Sequence, residues 1–150
     1  MTWSGSRLKR SRDPIQLRGE GSFVADISAG SRSVRFVRSP FARGRIIEVE
    51  LPRHGLVFTA SDLGDVQPIS PVLNRPDYVR VNQPILALDR VTYLGEPLAA
   101  VVADSQEEAE DLAEQVFFDI EPEDPILTLD RALEDKLSVV HPETDSNVLV

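Results

Sequence analysis

The chain has 150 residues, 41% apolar and 27% charged, enough for one domain with a buried core and ordinary for a globular protein. It has no cysteine and only two histidines, His54 and His141. This excludes disulfides, a thiolate nucleophile, cysteine-ligated iron–sulfur clusters and a histidine-rich metal site. The net charge of −9 is uneven: residues 1–53 hold 11 Arg and Lys against 5 Asp and Glu, and residues 54–150 hold 5 against 20.

The basic third does not read as a nucleic-acid surface. Its arginines alternate with apolar residues, as in SVRFVRSP, which is the pattern of a wet strand face, and no recognition motif accompanies them. No apolar run approaches the roughly 20 residues of a membrane span. The start, MTWSGSRLKRSRD, has no apolar stretch behind it and so does not read as a secretory signal. A cytoplasmic location is the resulting expectation.

Residues 1–13 are polar, basic and aperiodic, and are expected to be flexible, with a single domain over 14–150. GEGSFVADI predicts a strand with Phe23, Ala25 and Ile27 on one face. SVRFVR predicts a second, with Val34 and Phe36 inward and Arg35 between them, stopped by Pro40. GRIIEVEL alternates again, Ile47, Val49 and Leu51 opposite Glu48 and Glu50. LVFT (56–59) is apolar and β-branched enough for a buried strand, and SDLGD reads as one helical turn or a tight loop.

Prolines at 68, 71, 76 and 84 preclude a helix between Gly64 and Pro84. So long an irregular loop predicts a segment that packs against a partner. After ILALDRV and the corner TYLGEP comes LAAVVA (98–103), apolar on both faces and therefore expected as a central strand covered on both sides. Ser105 with Glu108 matches a capping box, and Ala109, Leu112, Ala113 and Val116 form a narrow helical stripe. VFFDIEP returns to strand, which completes a strand–helix–strand unit at about 98–121. LTLDRAL predicts a short helical turn.

Few residues suggest chemistry. The ten carboxylates between Asp104 and Asp124 read as a solvated helix face plus an acidic loop; a calcium loop would place its carboxylates on a glycine-bent loop, not on a helix. Ser39 lacks a nucleophile elbow, and a proline follows it. GEGS at 19–22 lacks the third glycine and the strand–helix setting of a phosphate loop. Glu96, between Gly95 and Pro97, has two readings. A carboxylate beside a buried strand can serve as acid or base. Alternatively, Gly95, Glu96 and Pro97 are a structural corner, with Gly95 supplying a permissive φ and Pro97 holding Glu96 extended.

The stretch VTYLGEPLAAVVADSQEEAEDLAEQVFFDIEP (91–122) resembles a signature of the xanthine dehydrogenase/aldehyde oxidase family of molybdenum hydroxylases. RDPIQLRGEGSFVADI, FVRSPFARGRI, LVFTASDL and HPETDSNV resemble other family segments in the same order, from about Arg12 to Val150. Phe41 and Arg43 stand where the family often has histidines. The resemblance implies an α+β fold, the α/β-hammerhead, with a mixed sheet, at the N-terminal end of the large molybdopterin-binding subunit. It implies hydroxylation of an aldehyde or N-heterocycle at molybdenum with oxygen from water, and electron flow through 2Fe–2S clusters to FAD or another acceptor.

The resemblance also implies that the pterin-contacting loops and the catalytic glutamate belong to the region that follows. On that basis no residue of this chain is catalytic, cofactor-binding or metal-ligating. Its implied partners are the molybdopterin-binding remainder and the iron–sulfur and flavin subunits or domains. A free-standing binding or assembly module that shares the fold is the alternative.

Overall fold

The structure, a computed structural model, describes residues 10–27, 30–73, 75–134 and 138–149. The chain divides into two compact units, 1–31 and 32–150. Most of the segment expected to be flexible, 1–13, lies outside the described residues.

The first unit contains a five-residue helix, α1 (Asp13–Leu17), with Pro14 in its first turn, where a missing N–H costs nothing. The strand expected at 23–27 is instead a 3₁₀ turn, Val24–Asp26. The Asp26 carboxylate accepts a hydrogen bond from the Phe23 N–H at 2.7 Å. This local bond competes with the ladder a strand would need.

The second unit contains β1 (Ser33–Arg38), β2 (Gly44–Glu50), β3 (Leu56–Thr59), β4 (Arg90–Val91), β5 (Pro97–Ala103), α2 (Gln106–Ala113), β6 (Phe117–Pro122) and α3 (Leu129–Glu134). The strands form two three-stranded sheets, ordered β1–β5–β3 and β4–β2–β6, and every pairing is antiparallel. The α+β class and the strand–helix–strand order stand, but the single mixed sheet does not. β5 and β6 flank α2 in sequence yet enter different sheets, so the helix joins two sheets and is not a crossover within one.

Helix α2 is capped as the sequence predicts: Ser105 Oγ accepts from the Glu108 N–H at 3.1 Å. The Glu108 carboxylate reaches one residue further back than a standard capping box, to the Asp104 N–H at 3.2 Å. The helix buries Ala109 and Leu112, with Val116 just beyond it, against Ala99, Val101 and Ala103 of β5. A second core joins Ala87, Val91, Leu98 and Ile120. Phe118 packs against both cores.

Three face assignments differ from expectation. On β1 it is Val37 that packs against the helix-side core, while Arg35 pairs with Glu110 of α2 at 3.1 Å. Val34 and Phe36 therefore face away from the helix. On β2, Ile46 joins the second core and a register shift between Ile46 and Glu48 sets Val49 opposite Phe118, so Ile47, Val49 and Leu51 do not share one face; all three stay at least 37% exposed. On β5, α2 covers only one face.

The register shows what the other face of β5 presents. Val34 and Leu56 flank Val102, and Phe36 and Phe58 flank Ala100. Directly paired residues share a face, so these six side chains form one apolar surface. Val34, Phe36, Leu56 and Phe58 are 55, 42, 44 and 41% exposed. Among the described residues no helix is long and apolar enough to cross a membrane.

Candidate functional site

The corner before β5 is built from backbone upward. Gly95 has φ +83°, a conformation L side chains rarely adopt, and it turns the chain back on itself. The turn is tied to the end of β1: the Gly95 N–H donates to the Ser39 carbonyl and the Ser39 N–H to the Glu96 carbonyl, both at 3.0 Å. Arg38 Nη1 adds a bond to the Gly95 carbonyl at 2.9 Å. Pro97, without an N–H, then starts β5, and its carbonyl accepts from the Ala87 N–H at 2.8 Å.

The Glu96 side chain is 1% exposed. Its Oε2 accepts from the Thr92 N–H at 2.6 Å and the Thr92 hydroxyl at 3.0 Å. Its Oε1 is buried with no hydrogen-bond partner among the described residues. The structural reading of the corner accounts for Oε2 and leaves Oε1 unexplained.

Glu96 borders a cleft of about 970 Å³, where the stretch 81–96 meets the distant segment 141–143. The end of the proline-rich loop contributes Val81–Pro84, the corner Thr92 and Tyr93, and the C-terminal segment His141–Glu143. The loop is tied back on itself by a bridge between Ile69 and Gln83 and by a Ser70–Asn82 side-chain bond at 2.9 Å. Gln83 Nε2 donates to the Tyr93 hydroxyl at 2.9 Å.

Arg43, which the sequence marks only as standing where the family often has a histidine, holds the C-terminal wall in place. It is 9% exposed. Its guanidinium donates to Glu123 at 3.0 Å, Ser138 Oγ at 2.6 Å, the Val139 carbonyl at 3.1 Å and the Asp124 carbonyl at 3.4 Å. A planar five-donor fork suits this convergence of acceptors. Only its place in a β-rich segment next to a glycine hinted that it was not a surface arginine.

Other candidates disperse. Ser39 is buried in its own turn, exchanging bonds with the Phe41 backbone. His54 is exposed in the β2–β3 loop, whereas His141 borders the cleft. In GEGS, Glu20 pairs with Arg18 at 3.2 Å. The acidic run is not one face: Asp104, Glu110, Glu123 and Asp124 carry ion pairs with Arg32, Arg35, Arg43 and Arg131. Arg131 holds the Asp124 carboxyl below its ordinary value by a hydrogen bond and by its charge. Among the described residues no three His, Asp or Glu side chains come together as a metal requires.

The fold and this corner find their counterpart in one family of known proteins. The model of the aldehyde oxidase and xanthine dehydrogenase a/b hammerhead domain matches residues 18–124. The chain belongs to this family.

Among curated proteins this hammerhead chain is 34% identical over 125 residues to the nicotine 6-hydroxylase large subunit of Paenarthrobacter nicotinovorans, covering 78% of the chain and 15% of that protein. It is 28% identical over 137 residues to a probable xanthine dehydrogenase subunit of Bacillus subtilis (strain 168), covering 87% and 17%. Among solved structures, quinoline 2-oxidoreductase from Pseudomonas putida 86 superposes with a TM-score of 0.76 at 30% identity, covering 87% of this chain and 18% of that one. The Cu,Mo-CO dehydrogenase superposes with a TM-score of 0.71 at 29% identity, covering 87% and 17%. The hammerhead chain thus spans less than a fifth of the length of these relatives.

The cleft does not fit a phosphate-bearing pterin or flavin. Such a group needs converging N–H donors, whereas Asp89, Glu96 and Glu143 border this cleft and the unmatched atom is an acceptor.

Proposed function

We propose that the chain is the N-terminal hammerhead domain, or a split subunit, of a molybdenum hydroxylase that oxidises an aldehyde or N-heterocycle with water-derived oxygen. Its role is to supply a packing surface, with the catalytic residues outside this chain. One observation carries the reading: the apolar face of Val34, Phe36, Ala100, Val102, Leu56 and Phe58, with four of its side chains 41–55% exposed. A face of this kind is what a sheet presents when its second layer belongs to another part of the protein.

In this reading molybdopterin, 2Fe–2S clusters and FAD are held by the molybdopterin-binding remainder of the large subunit and by iron–sulfur and flavin subunits or domains, in the cytoplasm. The corner Gly95–Pro97 is structural with respect to that chemistry.

The test is elemental analysis and reconstitution. The purified chain alone contains no molybdenum and oxidises no aldehyde or purine. It co-purifies with the separately expressed remainder of the large subunit, and Phe36→Ser with Phe58→Ser abolishes that association. Stoichiometric molybdenum in the chain alone would overturn the proposal, as would association indifferent to the two substitutions.

A further inference from the structure

The cleft beside the corner has no part in the packing role just proposed, and its chemistry points elsewhere. Asp89, Glu96 and Glu143 border it, against Arg90, which lies 3.5 Å from Glu123, and His141, 3.8 Å from Glu143. The balance is negative. Pro84, Leu88 and Pro142 also line it, giving the walls an apolar character. Glu96 is 1% exposed. With Oε2 held by Thr92, Oε1 is left without a donor among the described residues and closed to water, so an occupant reaches it only as the cleft wall at Glu96 opens. A buried acceptor without a donor is unfavourable, and a charged N–H is its strongest complement.

A bare metal ion does not answer this description, because among the described residues no three ligands converge and the walls are partly apolar. The geometry points to a recognition site for an organic cation: a guanidinium or ammonium group on an apolar stem, its N–H bonding Glu96 Oε1 and its stem lying against Leu88, Pro84 and Pro142. The group can come from a free small molecule or from an arginine or lysine elsewhere in a longer protein. The site does not depend on the packing role.

The experiment is a titration of the ¹⁵N-labelled chain with n-butylguanidinium and n-butylammonium, with neutral n-butylurea as the shape control. Expected are saturable amide shifts at Thr92, Gly95 and Glu96 with either cation and none with the urea. Glu96→Gln, which keeps an acceptor for Thr92, weakens cation binding ~10-fold or more, the effect of losing a charge-assisted hydrogen bond. Shifts that fail to saturate, that appear equally with butylurea, or that persist unchanged in a folded Glu96→Gln overturn the site. If that variant does not fold, the contrast between cation and urea in the unsubstituted chain decides alone.

The same titration in a longer protein containing this domain assigns the source. Silence there, with a response in the chain alone, places an arginine or lysine of that protein in the cleft. A response in both marks a free-ligand site.

Discussion

Thr92 gives both of its donors to one oxygen of Glu96, the N–H at 2.6 Å and the hydroxyl at 3.0 Å. The two bonds close the corner across Gly95 and fix the direction in which β5 leaves. Glu96→Ala strands both donors in a part-buried place, and should cost about 1–3 kcal/mol. Glu96→Gln retains one acceptor and should cost less. Urea denaturation separates the two variants; equal losses would mean that the bonds to Thr92 do not hold the corner.

Two glycines should fail for different reasons. At Gly95, φ +83° penalises any side chain although the space is open, so Gly95→Ala is expected to cost about 1–2 kcal/mol. At Gly44 a Cβ would lie 2.7 Å from Ile120 Cγ2 and 2.8 Å from the Glu121 carbonyl, so Gly44→Ala is an overpacking change of about 1–3 kcal/mol. Thermal melts test both. Ile120→Ala, which removes Cγ2, should cost less in the Gly44→Ala background than alone, and it should leave the cost of Gly95→Ala unchanged.

Arg43→Met removes the fork that holds Glu123, Ser138 and the Val139 carbonyl together. Proteolytic cleavage within 138–149 should then precede any loss of amide protection in β5. Simultaneous loss of both would show that the C-terminal segment is not a separable clasp.

The outward face of the first sheet should tolerate polar change. Phe36→Ser with Phe58→Ser should shift stability by less than ~1 kcal/mol per site, since both side chains are already half in water. Binding of a hydrophobic dye should fall at the same time. A large loss of stability would show that the face is already covered in the isolated chain.

Asp62 should titrate low. The Thr59 backbone N–H, at 2.7 Å, holds its carboxyl below the ordinary 3.8, and the Thr59 hydroxyl lowers it further. A depressed folded value stabilises the folded chain at pH values above 3.8, and the contribution fades as pH falls through the lowered value. NMR titration of the Asp62 carboxyl reads this directly. Thr59→Val should raise the value only part of the way, because the larger cause is backbone.

Periodicity was a sound guide where one element decides its own burial. The stripe Ala109–Leu112–Val116 and the cap at Ser105 formed as the spacing requires. It misled where two-sided strands left the choice of inner face to a neighbour. In SVRFVR either face can be the inner one; Val37 packs on the helix side, where Arg35 reaches out to Glu110, and Val34 and Phe36 take the other face. The corner was legible from Gly95 and Pro97, since backbone geometry is written in those residue types. The cleft was not, because it joins segments far apart in sequence, Gln83–Glu96 with His141–Glu143. The role of Arg43 was not legible for the same reason: its partners Glu123, Ser138 and Val139 come from the far end of the chain.

β5 sends Leu98 into one core and Ala99, Val101 and Ala103 into the other, and Phe118 touches both. Neither sheet can come apart without stripping apolar surface from the other. The unit over 32–150 should therefore lose its two sheets in one transition, with coincident midpoints by far-UV dichroism and by the NMR signals of β5 and β6 amides. The strand launched by the Gly95–Pro97 corner is also the one through which the two halves share their stability.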